Sequence, residues 1–398
     1  MRETTHAAMI PRARRRAVRA RAALALATTL GSAGLAGAAG AAALVGAAPP
    51  AASAAVERQL AVMGTALRMR IEARDRAAAL RASEAALAAL AATEARLSTW
   101  RDDSELARLN AAPAGESVTL SAATAAELAA AARCGADTAG AFEPAVGGLV
   151  DLWDLRGAGR IPGAGELAAA LPASRAAAWR IEGARAARLH PATRLEEGGF
   201  GKGAGLDRAL EALGGAPGVT AAWLDLGGQT ALLGGGPWTV AVAHPDLRQR
   251  AAVELLVDGG SVSTTGNGER GLTVGDRRIG HALDPRTGEP ALDFGSLTVW
   301  APGALLADCL STGLYVLGPE AALAFAAAHP EVQVLALLRG DEGAALTARA
   351  SSGLAGRLRA LAPEVRIDVE ESRAASVPPG ENAGATGRLL SEGGPAAP

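Results

Sequence analysis

Aromatic residues are scarce in this chain, at 3% of its 398 positions. Ala and Gly abound instead, a compositional bias without functional content. A basic surplus is also missing, because the formal net charge is -2. That speaks against nucleic acid or an anionic membrane surface as partner. Cysteine is nearly absent. Cys134 and Cys309 stand far apart, with no C-x-x-C and no Cys/His cluster. Neither a structural zinc site nor a disulfide framework is expected, and the pair reads as two buried free thiols. No apolar span follows Val56 and no repeat of fixed period occurs. The length allows one large domain or a few smaller ones.

What is present begins with an unusual N-terminus. Arg12 to Arg21 form a basic block containing Arg14-Arg15-Arg16, and Ala22 to Ala55 are uncharged and rich in Ala, Leu and Gly. Ala52-Ser53-Ala54 supplies an A-x-A cleavage signal. Residues 1–55 therefore read as a signal peptide, with twin-arginine export open although the flanking residues fit poorly. A retained anchor is the alternative, since the run is long enough to span a bilayer. Its Gly and Pro lower its hydrophobicity and favour cleavage near Ala55, giving a protein in the periplasm or on the outer face of the membrane. No Cys lies near the cut, which excludes a lipoprotein anchor. Residues 56–371 form the domain, and the Ala/Gly/Pro-rich tail 372–398 is expected to be disordered.

Within the domain, Arg76 to Leu97 reads as a helix, and Thr124-Ala-Ala-Glu127 as a capping box opening a second one that runs to about Ala136. Gly157 to Gly165 and Gly183 to Thr193 read as loops. Gly203 to Leu213 reads as a helix after a glycine-rich turn. Ala222 to Leu226, Trp238 to Ala243, Val253 to Val257, Leu297 to Ala301 and Val332 to Leu338 read as strands. Leu305 to Leu317 and Glu320 to Ala327 are helical between the last two. Runs of strands with interspersed helices point to an α+β layer architecture.

Three segments carry chemistry. Glu196-Glu-Gly-Gly-Phe-Gly-Lys-Gly203 sets glycines before a helix, where backbone amides, the helix N-terminus and Lys202 favour a phosphate. Alone, such a turn serves backbone geometry more often than ligands. Asp308 and Thr312 lie four apart on one helix face, and a carboxylate with a hydroxyl suits Mg²⁺. Alone, that pair is more often an Asp meeting a helix dipole. His281-Ala-Leu-Asp-Pro-Arg-Thr-Gly288 puts one of five histidines at the head of a turn, where it could deprotonate a hydroxyl. Ser263-Thr-Thr-Gly266 adds hydroxyls and amides, or is another loop. Together these residue types describe phosphoryl transfer.

In their order, these motifs resemble the FAD:protein FMN transferase (ApbE) family. The resemblance also covers Met63-Gly64-Thr65, Leu97-Ser-Thr-Trp-Arg-Asp-Asp-Ser-Glu-Leu-Ala-Arg-Leu-Asn110, Ala141-Phe-Glu-Pro-Ala-Val-Gly-Gly-Leu-Val-Asp-Leu-Trp153 and Leu224-Asp-Leu-Gly-Gly228. It ends with Ala307-Asp-Cys-Leu-Ser-Thr-Gly-Leu-Tyr-Val-Leu-Gly318. It implies a T-fold-like α+β architecture, antiparallel sheets flanked by helices, with FAD as substrate. Asp308 and Thr312 would then hold Mg²⁺ with the Gly199 carbonyl and the Ser311 position, and His281 would be the base. Met63, Trp100, Ala141, Phe142, Glu143, Glu196, Lys202 and Leu283 fall at flavin or adenosine contacts. The partner implied is an electron-transfer protein that receives FMN on a Thr or Ser.

Some positions depart from the family pattern. Glu143 and Glu196 replace a usual Asp, Ala145 a usual Thr, and Ala204 and Gly268 a usual Tyr. These bear on affinity and acceptor choice more than on the chemistry. A hydrolase releasing FMN and AMP is the second reading, and a secreted FAD-binding protein without turnover the third. Ala383-Gly-Ala-Thr386 partly matches an acceptor pattern, but coincidence in such a tail explains it better.

Overall fold

A computed structural model describes residues 54–268, 271–340 and 345–371. The tail 372–398 and all but the end of the 1–55 segment lie outside the described residues. The frame is a nine-stranded sheet whose strands follow one another in chain order. They are β1 Ala54–Val62, β2 Thr65–Ala73, β3 Val219–Leu226, β4 Gln229–Gly234, β5 Gly260–Gly266, β6 Gly295–Ala301, β7 Gln333–Arg339, β8 Leu346–Ala350 and β9 Val365–Val369. Each neighbouring pair is antiparallel except β8 and β9, which are parallel.

The β1–β2 hairpin was not among the expected elements. It closes through Met63 and Gly64, both at positive φ (52° and 68°), the backbone of a tight primed turn. In β2, Leu67, Met69, Ile71 and Ala73 are buried at every second position, as one buried sheet face requires.

Helices cover that face. Helix α1, Arg76–Leu97, begins where Asp75 accepts the Ala78 N–H at 2.7 Å. It lies beside α3, Gly201–Gly214, which lies beside α4, Ala304–Leu317. Here the small residues have a use. A Cβ on Gly203 would fall 2.3 Å from the Ala304 carbonyl oxygen, so α3 and α4 meet backbone to backbone. The opposite face packs against a small sheet of Trp238–Ala243, Ala251–Val257 and Leu358–Ala360, through Trp223, Trp238, Val253 and Leu337. The architecture is thus the α+β arrangement of antiparallel sheets and flanking helices.

Helix α2, Ala122–Asp137, packs on α4. Two expectations fail here. Cys134 of α2 and Cys309 of α4 are not free thiols but a disulfide, with Cα atoms 6.4 Å apart. A separation of 175 residues hides this, because only the packing of α2 on α4 brings the sulfurs together. The helix cap is also not Thr124. Ser121 accepts the Thr124 N–H, and Glu127 turns to Arg96 and Arg208 on α1 and α3 instead of closing a box. The expected helix Arg76–Leu97 and strand Trp238–Ala243 agree at both ends, the other expected helices and strands differ by a few residues at one or both ends, and the expected loop at 183–193 contains a strand, Arg185–Arg188. No described helix is long and apolar enough to cross a membrane.

Candidate active site

The glycine-rich turn enters α3 so that its first helical residues face α4. Lys202 Nζ donates to Asp308 Oδ1 at 3.0 Å and Oδ2 at 3.3 Å, and the Gly203 N–H donates to Oδ2 at 3.0 Å. Asp308 is buried, at 3% exposure, so its charge needs a cation within reach. A second clamp sets where α4 starts, since Asp207 accepts the Ala304 and Leu305 N–H groups at 2.6 and 2.9 Å.

Thr312 lies one turn beyond Asp308, its hydroxyl donating to the Asp308 carbonyl at 3.2 Å. A Cβ on Gly199 would fall 3.5 Å from Thr312 Oγ1 and 2.9 Å from Phe142 Cε2. The glycine turn therefore lies against Thr312 with the Phe142 ring wedged beside it. Three of the four proposed metal positions, Gly199, Asp308 and Thr312, gather with Lys202. The fourth, Ser311, turns to β5, where its hydroxyl meets Ser263 Oγ at 3.1 Å and Thr265 Oγ1 at 2.9 Å.

This donor set fits a hard divalent cation. Among the described residues no three His, Cys, Asp or Glu side chains gather to hold a metal, which is what a soft-metal cage would need. One carboxylate with hydroxyl and carbonyl oxygens suits Mg²⁺, which keeps waters and substrate phosphates as its remaining ligands. Lys202 already holds a positive charge against the carboxylate.

A second cluster forms at the other end of the turn. Glu196 pairs with Arg156 and accepts the Thr99 hydroxyl at 3.3 Å, while Glu197 accepts the Thr99 N–H at 3.0 Å. Burial, then the like charge of Glu197, outweighs Arg156 and pushes the Glu196 carboxyl up to about 7. The Arg156 guanidinium lies over the Trp100 ring, 4.9 Å from its centroid, and Trp100 as a residue is 69% exposed. An exposed aromatic backed by a cation offers a stacking surface for a planar ring. Sequence reasoning missed Arg156, which sits in a segment with no motif of its own.

The other expected contacts divide. Met63 donates its N–H to Glu94 at 3.2 Å and packs its sulfur near Gly205. Ala141 and Phe142 are buried behind the turn. Glu143 is buried and accepts Trp179 Nε1 at 2.8 Å and the Ala145 N–H at 3.0 Å, so one of its oxygens fixes the protein's own loop. Burial raises its carboxyl above the usual range.

His281 is half-buried at the head of the expected turn. Asp284 accepts the Gly288 N–H through its carbonyl at 2.7 Å, and Trp153 Nε1 donates to the Gly288 carbonyl at 2.8 Å. Leu283 is buried with Leu149 and Trp153. One link to α4 runs through Asn267, two residues past Thr265, and another through Asp293, which accepts the Tyr315 hydroxyl at 3.3 Å. A Cβ on Gly280, beside His281, would fall 2.3 Å from Asn267 Oδ1, and the backbone of Asn267 hydrogen-bonds the Tyr315 hydroxyl on α4.

The comparisons with known proteins point the same way. The ApbE family matches residues 63–336. A FAD:protein FMN transferase of Klebsiella pneumoniae is 33% identical over 286 residues, 68% of this chain and 81% of the relative. One of Vibrio cholerae is 31% identical over 257 residues, 62% of this chain and 76% of the relative. The crystal structure of the ApbE protein from Thermotoga maritima superposes with a TM-score of 0.67 at 26% identity, covering 74% of this chain and 96% of that one. The flavin transferase ApbE from Vibrio cholerae gives 0.67 at 27%, covering 77% and 99%.

Proposed function

The chain belongs to the ApbE family, and from that premise we propose that it is an exported, Mg²⁺-dependent FAD:protein FMN transferase. Flavin transfer is supported by curated relatives named for that activity. The metal, the acceptor and the compartment are this reading's finer parts.

The observation that carries it is Asp308 on α4, buried against Lys202, the Gly203 N–H and the Gly199–Thr312 contact. Mg²⁺ bound at Asp308, Thr312 and the Gly199 carbonyl would neutralise charge on the FAD pyrophosphate. Lys202 and the α3 N-terminus stabilise the same oxygens. Trp100 and Arg156 receive a flat ring. An acceptor Thr or Ser oxygen attacks the phosphorus of the FMN half, its proton passes to His281, and the pyrophosphate P–O bond breaks to release AMP. Export is supported by the Arg block, by Ala52-Ser53-Ala54, and by a disulfide that belongs to an oxidising compartment. Cleavage before Ala55 would leave β1 almost whole.

The test incubates the protein with FAD and Mg²⁺ and measures AMP with and without an acceptor peptide. Acceptor-dependent AMP and a flavin-bearing peptide are expected. AMP released equally without acceptor would make it a hydrolase, and no AMP at all would leave only flavin binding.

A further inference from the structure

The Cys134–Cys309 disulfide lies in the wall of the site. Cys309 is the residue next to Asp308, and both sulfurs are buried, at 1% and 0% exposure of their residues. From Cys134 the contacts run back to the metal positions. Thr138 Oγ1 donates to the Cys134 carbonyl at 2.8 Å and accepts the Phe142 N–H at 3.1 Å. A Cβ on Gly313, one turn past Cys309, would fall 2.8 Å from Thr138 Cγ2 and 2.9 Å from Phe142 Cβ. The Phe142 ring abuts Gly199, and Gly199 abuts Thr312. The α2–α4 seam thus closes a ring around the cation ligands, with one covalent link in it.

We propose that this disulfide is a positioning device that sets the Mg²⁺ affinity of the site, resting on the metal reading above. Successive residues on a helix point about 100° apart, so pinning Cys309 fixes how far Asp308 is rotated toward the turn. Mg²⁺ demands near-ideal octahedral geometry, and partners behind metal ligands govern affinity by roughly 10–100-fold. Forming the bond removes two protons and two electrons from the thiols. They pass to a disulfide of an oxidising dithiol catalyst, which becomes a dithiol. In a reducing cytoplasm the site stays in its weaker form, so FAD is spared until the chain reaches an oxidising compartment.

The experiment titrates Mg²⁺ alone into oxidised wild type and into C134A/C309A by calorimetry, with flavin affinity for FAD measured separately without metal. A Mg²⁺ dissociation constant raised about tenfold or more in the variant, with FAD affinity kept, is expected. Equal Mg²⁺ constants with only a lower melting temperature would overturn the proposal and leave a structural staple. Two free thiols counted in the oxidised protein would also overturn it. If the variant does not fold, the reduced wild-type chain takes its place, and a reduced chain that is itself unfolded would assign the bond to folding instead. Oxidised wild type that binds no Mg²⁺ would remove the metal reading and this inference with it, whereas AMP release tests the transfer reaction on its own.

Discussion

At Asp308 a buried carboxylate accepts from one ammonium and one backbone N–H, while the Thr312 hydroxyl donates to the main-chain carbonyl of the same residue. Asp308→Asn keeps an acceptor for the Gly203 N–H and loses the charge. We expect the fold to survive by circular dichroism while Mg²⁺ binding and AMP release fall by more than about tenfold; wild-type turnover would take Asp308 out of the site. His281 sits on a loop whose Gly280 lies against Asn267, and Asn267 reaches Tyr315 on α4. If it takes the acceptor proton, His281→Asn should slow single-turnover transfer by roughly 10²–10⁴-fold and spare FAD affinity. An unchanged rate would make it a packing residue. Glu196 makes a prediction about pH. Its carboxyl ordinarily titrates near 4.5 and is pushed up to about 7 by burial and by Glu197. The folded chain thus keeps a proton that the unfolded chain releases, so this group's contribution to stability falls as pH rises from about 4.5 to 7. Glu196→Gln should flatten that fall in urea midpoints; an identical slope in the variant would show that other groups cause it.

The helices show what a sequence can and cannot announce. Helix α1 was legible end to end, because Asp75 precedes a long Ala/Leu run that favours helix at nearly every position. The cap of α2 was misread for a physical reason. Ser121 and Thr124 both have capping chemistry, and what decides between them is Glu127 leaving for Arg96 on another helix. The β1–β2 hairpin does carry a period-2 signal, Leu67, Met69 and Ile71 alternating with Arg68, Arg70 and Glu72, whereas Arg185–Arg188 escapes because Ala carries little strand preference. The glycine turn was legible as a turn, but its approach to α4 is a matter of packing. Gly203→Ala tests that approach. Its Cβ would meet the Ala304 carbonyl at 2.3 Å, so α3 and α4 must separate and the Gly203–Asp308 bond must lengthen. A loss of about 1–3 kcal/mol is expected for such overpacking, read as a lower urea midpoint together with weaker Mg²⁺ binding. Unchanged values for both would mean that the two helices stand farther apart than this.

For the whole molecule, the family motifs from Met63 to Gly318 were readable because each is a short run local in sequence, whereas the seams between elements are not. The α2–α4 seam is the plainest case. Two cysteines 175 residues apart looked like unrelated core thiols, and the packing of two helices makes them one crosslink. That crosslink has a global consequence separate from the metal site. It closes a loop that spans the turn, α3, β3 to β6 and most of the small sheet, so it restricts the unfolded chain over nearly half of its length. In the loop-closure account a ring of this size stabilises the folded state by about 5 kcal/mol. Unfolding in urea at neutral pH, oxidised against reduced, should therefore separate the two midpoints widely. The slope with urea should also be smaller for the oxidised chain, because its unfolded state stays more compact and exposes less surface. Reduced protein with the midpoint and slope of the oxidised form would show that the two sulfurs are not bonded in solution, and would return both cysteines to the free thiols that composition alone indicates.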